Sequence, residues 1–169
     1  MLCSPKDRVF IDTLHNISSI VMPRLTSYKG SFSGATPSIV DRLDSCSLHY
    51  QIVLNKKIVA GFRLTKIGEN KSEAERLFSH FAFEKEAYEL GGLWFCEKAK
   101  KADQSMTRRL IKEIFHFLKK KEAIFYFKTS LKKGRAARRL GAAPTQEVCW
   151  HPHLQYPCHL FVIQKGKNG

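Results

Sequence analysis

Nowhere in the sequence do apolar residues run on for the roughly 20 positions that a helix needs to cross a bilayer, so no integral membrane segment is expected. Met1 to Arg8 leads into an amphipathic stretch rather than a continuous apolar one, which argues against a signal peptide. The five cysteines (Cys3, Cys46, Cys96, Cys149, Cys158) are odd in number and scattered. They suggest no disulfide framework, and a reducing cytoplasm is the expected setting. There is no internal repeat and no dividing linker, so residues 1–169 read as one domain. Acidic residues are scarce too, 15 against 29 basic, for a net charge of +14. With 43% apolar residues the chain can still bury a core, which excludes wholesale disorder.

The positive charge is concentrated. Lys98 to Arg139 holds fifteen basic residues, opposed only by Asp103, Glu113 and Glu122. A local field of this kind attracts an acidic partner: nucleic acid, an anionic membrane, a phosphorylated cofactor or an acidic protein. Charge alone does not choose among them.

Hydrophobic periodicity orders the chain. Phe10, Ile11, Leu14, Ile17, Ile20 and Val21 recur at helical spacing and predict a helix from Lys6 to Val21, ended by Pro23. Leu25 to Ser38, rich in Ser, Thr and Gly, reads as a loop. Leu48 to Ile67 reads as a β-hairpin about a polar Asn55-Lys56-Lys57 turn. A short apolar segment follows around Leu77 to Phe83. Tyr88 to Cys96 then reads as a strand with Gly91 and Gly92 inside it, a mark of a bulge or of close approach by a ligand. Met106, Leu110, Ile111, Ile114, Phe115 and Leu118 form a helical stripe. Ile124 to Phe127 is a short buried strand, Leu131 to Leu140 a basic helix stopped by Gly141 and Pro144, and His159 to Ile163 a last strand. This order describes an α+β (α/β-like) domain with a mixed sheet.

The order also resembles the GNAT acyltransferase layout, a mixed, mostly antiparallel sheet with helices packed on both faces. Particular residues narrow the resemblance. Asp41-Arg42-Leu43-Asp44 leads into His49-Tyr50-Gln51-Ile52-Val53, and the hairpin closes in Gly61-Phe62-Arg63-Leu64. Phe78, Phe81 and Phe83 precede a strand reading Tyr88-Glu89-Leu90-Gly91-Gly92-Leu93-Trp94-Phe95. These motifs look like the branch of acyl-homoserine-lactone synthases, N-acyl amino acid synthases and ornithine acyltransferases, over roughly Asp41 to Thr129. Three positions depart from the pattern. Gly92 stands where an arginine usually follows Glu-Leu-Gly. Ala102-Asp103-Gln104-Ser105-Met106-Thr107 replaces the glycine-rich pyrophosphate loop, and Ala137 falls near the place of the general-acid tyrosine.

The resemblance implies an N-acyltransferase that moves an acyl group from a thioester donor to the amine of a small acceptor such as an amino acid. That chemistry needs a proton acceptor for the amine, a polarised carbonyl and donors for the oxyanion. Glu89 is the implied base; a glutamate on an exposed strand edge is the plain alternative. Arg63 would grip a carboxylate, either the acceptor's or that of Asp41 or Asp44, in a catalytic or a purely structural pair. Asp44 would orient Arg63 or bind the acceptor amine, or would simply cap its loop. Leu93, Trp94 and Phe95 on the strand, with Lys100, Lys101, Ser105, Thr107, Arg108 and Arg109 after it, would meet the donor. No tightly bound cofactor is implied: the donor is acyl-CoA or the acyl-phosphopantetheine of an acidic acyl carrier protein, and the basic face fits that carrier as a partner.

Other signals are weaker. Cys149, His151, His153, Cys158 and His159 fit no common paired-ligand spacing for zinc, so no metal site is expected. Nucleic-acid binding fits the charge and the nearby Tyr126, Phe127 and Trp150, but no helix-turn-helix, zinc-finger or RRM signature accompanies it. It remains the alternative from another class, beside a GNAT-like domain that has lost catalysis and only binds.

Overall fold

The computed structural model describes residues 8–14, 43–69, 72–96, 104–152 and 154–164. The strands are β1 (Val9–Leu14), β2 (Ser47–Leu54), β3 (Lys57–Lys66), β4 (Tyr88–Phe95), β5 (Phe125–Thr129), β6 (Ala143–Trp150) and β7 (Pro157–Ile163). The helices are α1 (Glu73–Leu77), α2 (Gln104–Lys119) and α3 (Leu131–Arg139), with a 3-10 turn at Asp44–Cys46. The strands form one sheet in the order β1-β2-β3-β4-β5-β7-β6. β4 and β5 run parallel, whereas β1–β2, β5–β7 and β6–β7 are antiparallel. A parallel pair needs a crossover, and α2 supplies it. This is the mostly antiparallel α+β sheet expected of the GNAT fold.

The chain groups into two compact units, Met1–Leu64 with Gly91–Ile114 and Thr65–Leu90 with Phe115–Gly169. In the first, β2 alternates, burying Tyr50, Ile52 and Leu54, as a strand with one covered face does. Tyr50 stacks on Phe62 of β3 at 5.1 Å between ring centres. Asn55 and Lys56 turn the hairpin with φ of 50° and 60°. Two left-handed residues make a type I′ turn, whose twist matches that of the flanking strands. Lys57 therefore begins β3 rather than closing the turn.

The helix expected over Lys6 to Val21 is not what the described part of that segment forms. Residues 9–14 are a strand paired with β2 from Val9↔Leu54 to Leu14↔His49, and the rest of the segment, like the Leu25 to Ser38 loop, lies outside the described residues. Val9, Phe10, Ile11 and Thr13 are β-branched or aromatic, which suits a pleated surface. Pairing with β2 satisfies the backbone groups on one side of β1, and Phe10 stays exposed where a helical stripe would have buried it.

In the second unit the two faces of the sheet are covered by different helices. Ala74 and Phe78 pack with Tyr126, Cys158 and Leu160 on one face. Ser72 and Glu75 form a capping box that starts α1 there. Phe81 and Phe83 stand edge-on to Tyr126 at 5.7 and 5.0 Å, and the Tyr126 hydroxyl accepts from the Glu84 N–H at 3.3 Å. On the opposite face Phe127 stacks on Phe161 at 5.5 Å and meets Phe115 edge-on at 5.6 Å. α3 crosses Phe161 so closely that a Cβ on Gly134 would lie 2.1 Å from the ring.

β6 had no counterpart among the expected strands, because Gly141 and Pro144 read only as a stop. The strand lies at the edge of the sheet, where a proline is tolerated. Its pairing with β7 shifts between Pro144 and Val148, where Gln146 adopts φ of 71°.

Candidate active site

Each unit contains one buried charged assembly. In the first, Asp44 is fully buried in the 3-10 turn before β2. Arg63, buried on β3, donates from Nη1 to Asp44 Oδ1 at 2.9 Å. His49 Nε2 lies 2.8 Å from the Asp44 carbonyl oxygen, which only accepts, so the ring proton sits on Nε2. The same nitrogen is 3.8 Å from Asp44 Oδ1. The hairpin brings the two ends of this pair together: β2 starts beside Asp44, and β3 returns to it nineteen residues after Asp44.

In the second unit Glu89 is buried on β4 rather than placed on an exposed edge. Its Oε2 accepts from the Ala74 N–H at 2.6 Å, and its Oε1 accepts from Lys128 Nζ at 3.3 Å. Lys128 also reaches Glu73 Oε2 at 3.0 Å, and His151 Nε2 donates to Glu73 Oε1 at 2.8 Å. His151 Nδ1 accepts from the Leu154 N–H at 3.1 Å, which leaves the proton on Nε2. Strand alternation builds the cluster. Glu89 is the register partner of Tyr126, and Lys128, two residues on, points to the same side.

The charges follow from this packing. Burial opposes the ammonium of Lys128, but the carboxylates of Glu89 and Glu73 outweigh it and raise its pKa above the ordinary lysine value. Burial pushes the Glu73 carboxyl up, yet Lys128 and then His151 prevail and hold it below the usual carboxylate range. Burial, reinforced by the facing Cys158, pushes the Cys149 thiol up.

The residues expected to meet an acyl donor divide by exposure. On β4 the side chain of Leu93 faces solvent, while Trp94 and Phe95 are buried. Trp94 packs on Gly61 of β3, where a Cβ would come within 2.5 Å of the indole nitrogen. Gly92 adopts φ of 56°, a conformation an arginine at this position would resist, which gives the departure from Glu-Leu-Gly-Arg a backbone cause. Ser105 and Arg108 are exposed at the start of α2, Thr107 and Arg109 half-buried, and the first turn holds no acidic residue. Lys100 and Lys101, like Asp41, lie outside the described residues.

Glu73, Lys128 and His151 were not among the expected site residues. A lysine at an inward position of the strand Phe125-Tyr126-Phe127-Lys128 was the available signal, since a buried cation requires carboxylates around it. Of the five Cys and His residues near the C-terminus, Cys149 and Cys158 are register partners, His159 faces the other side of the sheet, and His153 is not described. Among the described residues no three His, Cys, Asp or Glu side chains are grouped to hold a metal ion. A surface cleft is lined by Lys66, Gly68, Phe81, Phe83, Glu84 and Glu86, among others, and Lys66 bridges its rim to Glu69 at 2.9 Å and Glu86 at 3.4 Å.

No family model and no curated protein matches this sequence. Solved structures do match its fold. FeeM, an N-acyl amino acid synthase from uncultured soil microbes, superposes with a TM-score of 0.63 over 96% of this chain and 94% of its own, at 8% identity. The AHL synthase LasI gives 0.64 over 92% of this chain and 90% of its own, at 10% identity. An aminoglycoside acetyltransferase in complex with coenzyme A gives 0.61 over 93% and 95%, at 12% identity. The chain therefore has the GNAT acyltransferase fold.

Proposed function

We propose that this protein is an N-acyltransferase that moves an acyl group from a thioester donor to the amine of a small acceptor, such as an amino acid. The observation that carries the reading is Glu89, a carboxylate fixed on β4 by Lys128 and the Ala74 N–H. Each of its oxygens keeps a further lone pair, so it can draw the proton from an attacking amine through a water. The amine nitrogen attacks the thioester carbonyl carbon, the tetrahedral intermediate expels the thiolate, and the thiolate takes up a proton as the amide forms. Backbone N–H groups around Gly91 to Trp94, where Gly92 breaks the regular strand, are the proposed donors to the oxyanion. Asp44 and Arg63 take a positioning role, their ion pair fixing the start of β2 to β3.

The donor is acyl-CoA or the phosphopantetheine of an acyl carrier protein. Arg108, Arg109, Ser105 and Thr107, at a helix start without acidic residues, suit either phosphate group. The fold relatives include an acetyltransferase in complex with coenzyme A, which supports the acyl-CoA donor class. An acidic carrier protein in the cytoplasm is the favoured source, because the basic excess of Lys98 to Arg139 exceeds what the phosphates of one coenzyme A need.

Thiol release from acyl-CoA and acyl-carrier substrates, assayed against a panel of amines, tests this. In Glu89→Gln the amide oxygen still accepts from Ala74 and Glu73 still neutralises Lys128, so folding should survive. Turnover should fall by about 10²–10⁴-fold. A folded variant with undiminished turnover removes Glu89 from the reaction, and no thiol release from any donor removes the acyltransferase reading.

A further inference from the structure

α3 reads Leu131-Lys132-Lys133-Gly134-Arg135-Ala136-Ala137-Arg138-Arg139 and buries only Gly134 and Ala137. All five of its cations are exposed, and the helix holds no acidic residue. Pairs such as Lys132 with Arg135, or Arg135 with Arg138 and Arg139, stand one turn apart and repel, so the helix is carried by packing at a cost in self-repulsion. A surface built this way is stabilised by negative charge from outside.

Apolar side chains continue the same face beyond the helix. Gly134 lies on Phe161, which marks the side of the sheet that α3 covers. Alternation along β7 puts Pro157 and His159 on that side too, and their register partners are Trp150 and Val148. Trp150 is 60% exposed, Val148 51%, and Leu131, at the first turn of α3, 49%. Leu154 is also exposed in the β6–β7 connection. Glu147, the acidic residue of β6, lies in the irregular stretch between Pro144 and Val148. One face of the second unit thus combines a tryptophan, exposed aliphatic groups and five cations.

We propose that this face docks on an anionic lipid bilayer. Tryptophan with aliphatic side chains and flanking Lys and Arg is the composition of a membrane interface: the apolar groups enter the acyl boundary while the cations meet headgroups. A nucleic acid satisfies the cations but gains nothing from covering Val148 and Leu131. The inference does not rest on the acyl-transfer chemistry, but it assigns the α3 cations, part of the basic excess of Lys98 to Arg139, to a membrane rather than to a carrier protein. It requires no spanning segment, and no described helix is long and apolar enough to be one.

The test is co-sedimentation of the full chain with vesicles of phosphatidylcholine alone and of phosphatidylcholine mixed with phosphatidylserine, over a salt series. Binding should depend on phosphatidylserine and weaken with salt. Emission offers a second readout. Trp94 is buried, so the red-shifted component of the protein's two tryptophans belongs to Trp150 and should move to the blue on the anionic vesicles. Trp150→Ser and the double variant Arg135→Glu/Arg138→Glu change exposed positions and should each lower partitioning by about tenfold or more. Absence of phosphatidylserine-dependent binding overturns the proposal, as does binding that both variants retain. Capture of duplex DNA or of an acidic carrier protein through these residues, without vesicle binding, assigns the face to that partner instead.

Discussion

Lys128 Nζ lies 3.3 Å from Glu89 Oε1; the Glu89 side chain is buried, and that of Lys128 is 13% exposed. Neither charge is tolerable there alone. Lys128→Met should therefore destabilise the fold by about 3–5 kcal/mol, because it strands the Glu89 carboxylate in the core. The double variant Lys128→Met/Glu89→Leu should recover much of that loss, since matched apolar groups replace a buried pair at little cost. Urea unfolding of the three proteins measures both effects. A single variant that unfolds at the wild-type midpoint would show that the Glu89 carboxylate does not depend on Lys128.

The two ends of this network titrate in opposite directions. Glu73 has a lowered pKa, so its stabilising contribution is present above the unfolded carboxyl value, about 4.3, and is lost as pH falls through its lower folded pKa. Lys128 has a raised pKa, so its contribution is full below the unfolded value of about 10.4 and is lost as pH rises past its higher folded pKa. Between these limits the pair adds no slope to stability against pH. The gap between wild type and Glu73→Gln should narrow below about pH 4, as wild-type Glu73 becomes neutral. A gap that persists unchanged at lower pH would mean that Lys128 and His151 do not stabilise the ionised form.

The hairpin turn carries a removable strain. Lys56 sits exposed at φ of 60°, a conformation that costs a residue with a Cβ about 1–2 kcal/mol. Glycine avoids that cost but gives back about 0.5–1 kcal/mol in chain entropy. Lys56→Gly should raise stability by about 0.5–1 kcal/mol and leave the β2–β3 register unchanged. A drop in melting temperature would mean that the lysine side chain makes a contact worth more than the turn strain.

Periodicity revealed the elements whose faces are buried. The β2–β3 hairpin, β4, α2, β5 and β7 all lie close to where apolar runs and spacing put them, because each must hide one side in a core, and α3 lies where its basic run before Gly141 and Pro144 put it. β6 was illegible for the converse reason: at the sheet edge, with Val148 and Trp150 exposed, it carries no buried alternation to read. β1 was misread because Phe10, Ile11 and Leu14 suit a helical stripe as well as a strand, and only its pairing with β2 decides. The position of Glu89 on β4 was legible, but its ligands were not. Ala74 is 15 residues away and Lys128 39, and no local spacing encodes either contact.

Gly134 is a case where two effects of opposite sign meet at one atom. In an exposed helix, Gly→Ala stabilises by about 1 kcal/mol, because alanine loses less backbone entropy. Here the new methyl would lie 2.1 Å from the ζ carbon of Phe161, whose ring is fully buried and stacked on Phe127. The ring cannot swing aside without breaking that stack, so α3 must lift, at an overpacking cost of about 1–3 kcal/mol or more. Gly134→Ala should therefore be destabilising on balance, and Phe161→Leu should relieve the clash in the double variant. Thermal melts of both single variants and the double variant give the coupling: the double should be less destabilised than the sum of the singles. Simple additivity would mean that α3 does not press on Phe161, and that the helix stands farther from β7 than the Gly134 contact places it.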